Sequence, residues 1–371
     1  MKKYSILTAV ILFFHCTLAQ VPYNSASPNG YTKKAMVSEQ VGLTEVIITY
    51  HRPAVKGREG KIWGETVHKG FIDQGFGTSK AAPWRAGANE NTIIEFDNDV
   101  KIEGQPLPKG RYGFFIAYDP VESIAIFSKK TDGWGSFFYN EKEDVLRVKV
   151  KPRPVDKSVE QLKYEFTEQS PNSATIVLSW EKLSIPFKVE VDYLRQQFDA
   201  FVAQSQNPAG FTSQGLNIAA NWTLQNNYQP EKGLEWATLA SGPAFPGDST
   251  SFPALTTRSF LLIKLGRPGE AAAVIKNTLP YGNVNQLQQL GRQLISLKQS
   301  KAAMEVFQYN YKKNPGLFIT LVGMARGLSA NSEYSKAVEF ASKALIIAPN
   351  QASKESINSM IAKLKEAKDI N

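Results

Sequence analysis

Cysteine is almost missing from this chain: Cys16 is the only one in 371 residues, and just 3 histidines accompany it. Cys16 lies in the opening stretch MKKYSILTAVILFFHCTLAQ, where Lys2 and Lys3 precede an apolar run from Ile6 to Phe14 and a small-residue exit, Thr17-Leu18-Ala19. That is the layout of a secretory signal peptide, and the run is too short to span a bilayer. Cleavage after Ala19 is expected, leaving 371 − 19 = 352 residues, and the product is expected in the periplasm or secreted. Lipid attachment at Cys16 would want a small residue before it, whereas Phe14 and His15 are bulky. The mature chain then has no thiol, which excludes disulfides, thiol catalysis and zinc–thiolate sites.

Long runs of one charge are absent too. The net charge is +9, or 9 − 2 = +7 once Lys2 and Lys3 leave, and the lysines are dispersed. Two readings follow: a mildly basic solvated surface, or attraction to an anionic partner such as an acidic glycan. Nucleic acid is not an expected partner, because export is predicted and no zinc-finger or RNP-like pattern occurs. The sequence also has no G-x-S-x-G elbow, Walker loop, dinucleotide fingerprint or H-E-x-x-H pair. No cofactor and no metal are therefore expected.

What is present falls into parts. Residues 20–33 are rich in Pro, Asn, Ser and Gly and read as a flexible lead-in. From Lys34 short alternating or β-branched runs follow one another: Thr44–Tyr50, Thr92–Phe96, Val100–Glu103, Arg111–Tyr118, Ser123–Phe127, Val145–Val150, Val159–Phe166, Ala174–Trp180 and Pro186–Val191. Asp97-Asn98-Asp99 and the run Pro106 to Gly110 are placed at hairpin turns. About nine or ten strands without a helix predict an antiparallel β-sandwich or jelly-roll-like domain over 34–192.

Near Val191 the period changes to that of helices, and residues 193–371 are predicted to be an all-α repeat domain. Leu294, Ala303, Phe307, Tyr311 and Pro315 recur 34 residues later as Leu328, Ala337, Ala341, Leu345 and Pro349. A helix-turn-helix repeat of that length is the tetratricopeptide period. Less regular units surround Gly233 and Ala271, in steps of 38 and 32, and a helix from Ser353 to Asp369 would cap the stack. Such stripes are core first, so only the concave face is left to dock a protein or peptide partner.

Chemistry is concentrated between Tyr50 and Asn91, which holds Arg52, Arg58, Arg85, His51, His68, Trp63, Trp84 and Asn89. Guanidinium forks bind carboxylate or phosphate at two points, so Arg52, Arg58 and Arg85 are candidate ligand-binding residues, with Trp84 as a stacking face and Asn89 as a polar reader. The four polar members are expected to converge on one face. Trp134, in a Gly-flanked turn, could join them, and His51 could serve as a base. The competing reading is that the arginines tie loops to the sandwich through backbone carbonyls and acids such as Glu45, Glu90 or Asp144. Gly75 to Lys80 is expected to form a flexible lid.

Arg52-Pro53, Lys56-Gly57-Arg58, Trp84-Arg85-Ala86-Gly87-Ala88-Asn89, Leu107 to Tyr112 and Glu143 to Val148 together resemble the bacterial family called domain of unknown function 2911. The resemblance covers about Val37 to Val191, and the piece between Trp63 and Trp84 is longer and richer in Gly than the family pattern. It implies an exported protein of the kind found in Bacteroidetes, often continued by a tetratricopeptide-like tail, and no established activity. Two functions stay open: a non-catalytic protein with a small anionic or carbohydrate-like ligand on the β domain, or an enzyme whose Arg52, Arg58 and Arg85 orient an anionic substrate beside His51 or a carboxylate. A titratable group among the arginines would favour the second.

Overall fold

The computed structural model describes residues 32–371. The predicted signal peptide, with Cys16, and nearly all of the lead-in lie outside the described residues. The chain divides into two compact units between Tyr193 and Leu194.

Among the described residues the first unit holds ten strands: β1 (Lys33–Val41), β2 (Thr44–Arg52), β3 (Thr92–Phe96), β4 (Val100–Ile102), β5 (Gln105–Leu107), β6 (Gly110–Ala117), β7 (Ser123–Ser128), β8 (Asp144–Val150), β9 (Arg153–Ser170) and β10 (Ser173–Glu190). They form two antiparallel sheets, β1-β2-β3-β6-β7-β8 and β5-β4-β10-β9. Alternation along β2 sends Val46, Ile48 and Tyr50 inward, and they share one core with Phe114, Phe127, Trp180 and Phe187 from both sheets. This is the sandwich that period-2 patterning predicts. Phe114 and Phe187 meet across it with ring centroids 5.3 Å apart.

Two sequence expectations need correcting. Pro106 lies in β5 opposite Lys101 rather than in a turn, and it can do so because β5 is a sheet edge, where a missing N–H costs nothing. The hairpin turn is earlier, at Glu103 and Gly104, both with positive φ (48° and 77°), while Pro108 and Lys109 of the expected run link β5 to β6 in the other sheet. Ala174–Trp180 and Pro186–Val191 are one continuous strand. Glu181, at φ 51°, makes a bulge that carries the strand past its polar stretch, and Pro186 falls between the register with β9, ending at Ser184, and that with β4, starting at Val189.

β6 is buried on both faces. Tyr112, Phe114 and Ile116 point into the sandwich, while Phe115 and Ala117, with Ile126 of β7, form a second small core with Tyr139 and Phe71 on the outer side. A continuous apolar run of this kind needs cover on both sides. The cover comes from the β2–β3 connection, residues 53–91, and the β7–β8 connection, residues 129–143.

The second unit is helical: α1 (Tyr193–Gln204), α2 (Ser213–Asn226), α3 (Pro230–Ala240), α4 (Phe252–Lys264), α5 (Pro268–Thr278), α6 (Val284–Ser296), α7 (Ser300–Lys313), α8 (Phe318–Ala330), α9 (Tyr334–Ile346) and α10 (Gln351–Lys365). Their starts are set by local chemistry. Asn283 and Gln286 make a reciprocal capping box on α6, Asn350 caps α10, and Pro230 and Pro268 occupy first-turn positions that need no N–H. Pairs α6/α7 and α8/α9 repeat at 34 residues, and Ala303, Phe307, Ala337 and Ala341 are buried where the repeat predicts. Among the described residues no helix is long and apolar enough to cross a membrane.

Candidate functional site

The two connections over the outer face of the six-stranded sheet are stapled together. Thr78 and Ser79 both donate their backbone N–H to Phe137 O, at 3.0 and 2.9 Å. Gly77, at φ 77°, passes so close that a Cβ there would stand 2.2 Å from the same oxygen. The segment from Gly75 to Lys80, expected as a flexible lid, is thus held at its middle. Beneath it lies a cavity of about 520 Å³ lined by Phe71, Ser79, Lys80, Tyr139, Glu141 and Arg147 among others. Phe76 and Phe138 stay exposed nearby (64% and 41%), with ring centroids 6.2 Å apart.

Two of the lining side chains, Tyr139 and Arg147, are tied to each other and to Asp144. Tyr139 donates its hydroxyl to Asp144 Oδ2 at 2.6 Å, Arg147 donates Nε–H to that oxygen at 2.7 Å, and Arg147 also donates to the Tyr139 oxygen at 2.8 Å. The Arg147 guanidinium carbon lies 5.5 Å from the Phe71 ring centroid. Burial, helped by the Asp144 carboxylate, pushes the Tyr139 phenol above its ordinary range. Burial likewise raises the Asp144 carboxyl, against the pull of the Tyr139 and Arg147 hydrogen bonds. Lys80 at the rim pairs with Asp73 at 3.0 Å. Cationic and anionic groups thus nearly balance around a cavity rich in hydroxyl and amide groups.

The residues singled out from sequence divide into two sets. His51, Arg85 and Asn89 come together: Asn89 Nδ2 is 3.1 Å from His51 Nδ1, Arg85 donates to Asn89 O at 2.8 Å, and His51 Nε2 stands 2.7 Å from Glu90 Oε2. With an amide N–H facing Nδ1, the neutral ring carries its proton on Nε2, toward Glu90. Nδ1 of this buried ring, 3% exposed, is thus hydrogen-bonded, while Nε2 lies close to Glu90 without hydrogen-bond alignment. Arg52 and Arg58 do not join this set. Arg52 donates Nε–H to Leu162 O at 2.9 Å, and Arg58 donates to Val55 O and Ala54 O at 3.0 and 2.7 Å. These contacts match the loop-tying alternative, and they follow from alternation, which sends Arg52 to the opposite face of β2 from His51.

Trp84 is no open platform. It is buried, donates Nε1–H to Gly87 O at 3.2 Å and stacks on Trp180 at 6.2 Å. Trp134 is 43% exposed. Its neighbour Gly135, at φ 64°, lies against the Arg85 guanidinium, where a Cβ would come within 2.0 Å of Cζ. Arg85 also lies 5.3 Å from the Phe137 ring centroid. It thus braces one connection against the other, and burial lowers its pKa. Tyr139 and the lining role of Phe71 and Lys80 were not anticipated; the doubly buried run in β6 was the available signal that something covers that face. Among the described residues no three of His, Cys, Asp and Glu gather as a metal site would require.

Burial, with a smaller contribution from the Arg85 charge, depresses the His68 pKa below its ordinary 6.5. In the window beneath about pH 6.5 the unfolded chain therefore binds more protons than the folded one. Stability supplied by the neutral ring is present above that pH and is lost as pH falls through the folded pKa. His68→Gln should flatten this acid-side slope, read as urea midpoints at pH 7.5 and 5.5. Parallel pH dependence in both proteins would contradict it.

Residues 32–189 match the family described as "Protein of unknown function (DUF2911)", in line with the resemblance drawn from the motifs. Among solved structures, similar chains include YrrB, a TPR protein described as having an unusual peptide-binding site, at 18% identity over 46% of this chain and 86% of that one, TM-score 0.30. MamA from Desulfovibrio magneticus is similar at 15% identity over 42% of this chain and 94% of that one, TM-score 0.28. A comparison with curated proteins finds no match.

Proposed function

We propose that this is an exported, non-catalytic binding protein whose β unit holds a small carbohydrate-like ligand with an acidic substituent and whose helical unit docks a protein segment. The observation that carries the reading is the lining of the 520 Å³ cavity, where Tyr139 and Arg147 are spent on each other and on Asp144. Groups locked this way can orient a ligand, but the raised phenol and the doubly hydrogen-bonded carboxylate are poorly placed to exchange protons with it. The volume suits one or two sugar rings. Thr78, Ser79 and Asn140 offer hydroxyl and amide partners, Lys80 offers a cation for an acidic substituent, and Phe71 offers an apolar face. His51, the base of the enzymatic alternative, is buried, with Nδ1 held by Asn89. Export is supported by the charged start, short apolar run and small-residue exit of the first 19 residues.

The test is calorimetric titration of the full mature chain with neutral oligosaccharides and with oligosaccharides containing uronic acids. Saturable binding is expected, with uronate affinity falling about tenfold in Lys80→Ala, the loss of roughly one charge-assisted hydrogen bond. Absence of binding to either class, or affinities indifferent to both Lys80→Ala and Phe71→Ala, would overturn the ligand reading. Chain cleavage of the titrant would replace it with the enzymatic one. Mass spectrometry of the protein from its host should give a start at Gln20, and a retained leader would count against export.

A further inference from the structure

In the helical unit, α6 and α8 leave a cavity of about 550 Å³ lined by Asn285, Gln288, Gln289, Arg292, Gln293, Ser296 and Ile319. These α6 residues recur at three and four and so share one face. No acidic side chain lines the cavity. Arg292 is exposed and makes no hydrogen bond or ion pair among the described residues, and its charge is felt by Arg326 on α8, whose pKa is lowered first by burial and then by Arg292. Gln288 is only 7% exposed, yet its Oε1, lying over Gly323, is buried without a donor. An orphan acceptor costs about 1–3 kcal/mol unless something brings it an N–H.

One repeat on, α8 already holds a short non-helical segment of this chain, residues 369–371. Ile370 donates its N–H to Ser329 Oγ at 3.1 Å, Ser329 donates its hydroxyl to Asp369 Oδ1 at 2.6 Å, and Asn371 donates Nδ2–H to Arg326 O at 3.1 Å. Arg326 reaches Ile370 O and Asn371 Oδ1, both at 3.4 Å, and Ile370 is buried. A non-helical acid–apolar–amide segment is thus what α8 accepts. One repeat back, α6 offers a free guanidinium and an orphan acceptor in place of those partners.

Resting on the docking role proposed above for the helical unit, we infer that the α6–α8 cavity binds an extended acidic peptide segment of a partner protein, with a carboxylate on Arg292 and a backbone N–H on Gln288 Oε1. Neighbouring helices stand 8–10 Å apart, and an extended chain rises about 3.3 Å per residue. Acidic residues three apart would therefore reach Arg292 and the edge of Arg326 together.

The probe is a fluorescein-labelled peptide, Gly-Asp-Ile-Asn-Asp-Ile-Asn-Gly, with a second in which both Asp are Lys, titrated with the full chain. The acidic peptide should bind, more weakly at higher salt, and lose about tenfold in Arg292→Ala, an exposed position whose change leaves the fold alone. Gln288→Leu, which fills the site without an acceptor, should also weaken it, with helical circular dichroism preserved. Equal binding of both peptides, still weakened by Gln288→Leu, would overturn the acidic preference and leave docking intact. Binding of neither would overturn both. A complex containing two copies of the chain, displaced by the acidic peptide, would identify the occupant as a second copy and overturn the partner assignment.

Discussion

Phe307→Ala should destabilise the helical unit by about 3–5 kcal/mol, the upper range for deleting a buried aromatic ring. Phe307 is 1% exposed, and its ring lies in a space created by three glycines from two neighbouring helices. A Cβ at Gly291 of α6 would come within 2.4 Å of the ring, one at Gly323 of α8 within 2.7 Å, and one at Gly327 within 2.9 Å. Glycine has no side chain with which to refill the space, so the cavity closes only if α6 and α8 move together. The loss should appear as a fall of roughly 6–20 °C in the helical transition measured by calorimetry on the full chain. Gly291→Ala alone should also destabilise, because the added carbon meets the ring. In the Phe307→Ala background the same carbon enters the vacated space, so the two losses should fall short of their sum by more than about 1 kcal/mol. Additive losses would mean that ring and glycines do not share the space.

The repeat behind this prediction was legible because it is local. Thirty-four residues bring each position back to the same face of the same helix, so Ala303 and Ala337, or Phe307 and Ala341, announce their burial by recurrence alone. Strands such as Thr44–Tyr50 were legible for a similar reason, since alternation is a property of neighbours. The misplacements came where neighbours are a poor guide. Pro106 looks like a turn residue until its strand is known to be an edge, and the stretch after Trp180 looks like a break until Glu181 is seen to take a positive φ and accept the Gly60 N–H.

The candidate site was only half legible. The crowding of His, Arg and Trp between Tyr50 and Asn91 pointed to the connection that covers the sheet, but a chain segment names its residues without naming their partners. Arg52 finds a carbonyl 110 residues away on β9, and Trp84 finds Trp180 across the core. The arginine that lines the cavity, Arg147, belongs to a different stretch. Its role depends on a tyrosine and an aspartate that are unremarkable in sequence until β8 and the preceding turn bring them together.

Arg147→Ala should cost the β unit about 2–3 kcal/mol at neutral pH, less than a fully buried ion pair because Arg147 is 37% exposed. The larger part of that cost falls on what remains. The Asp144 side chain is 7% exposed, its Oδ1 is buried without a partner, and without Arg147 its Oδ2 keeps only the Tyr139 hydroxyl. Burial already raises the Asp144 pKa above 3.8, and loss of the cation should raise it further. A carboxyl whose folded pKa lies above its unfolded value contributes stability below the unfolded pKa and loses it as pH rises through the folded one. The deficit of Arg147→Ala against the parent should therefore be largest near pH 7 and shrink as pH falls through the raised folded pKa, measured as denaturant midpoints between pH 7 and 4. Arg147→Ala combined with Asp144→Asn, which carries no charge to strand, should recover much of the neutral-pH loss. A deficit that stays constant with pH, and persists in the double variant, would place the cost in lost packing against Phe71 and leave Asp144 without the part assigned to it.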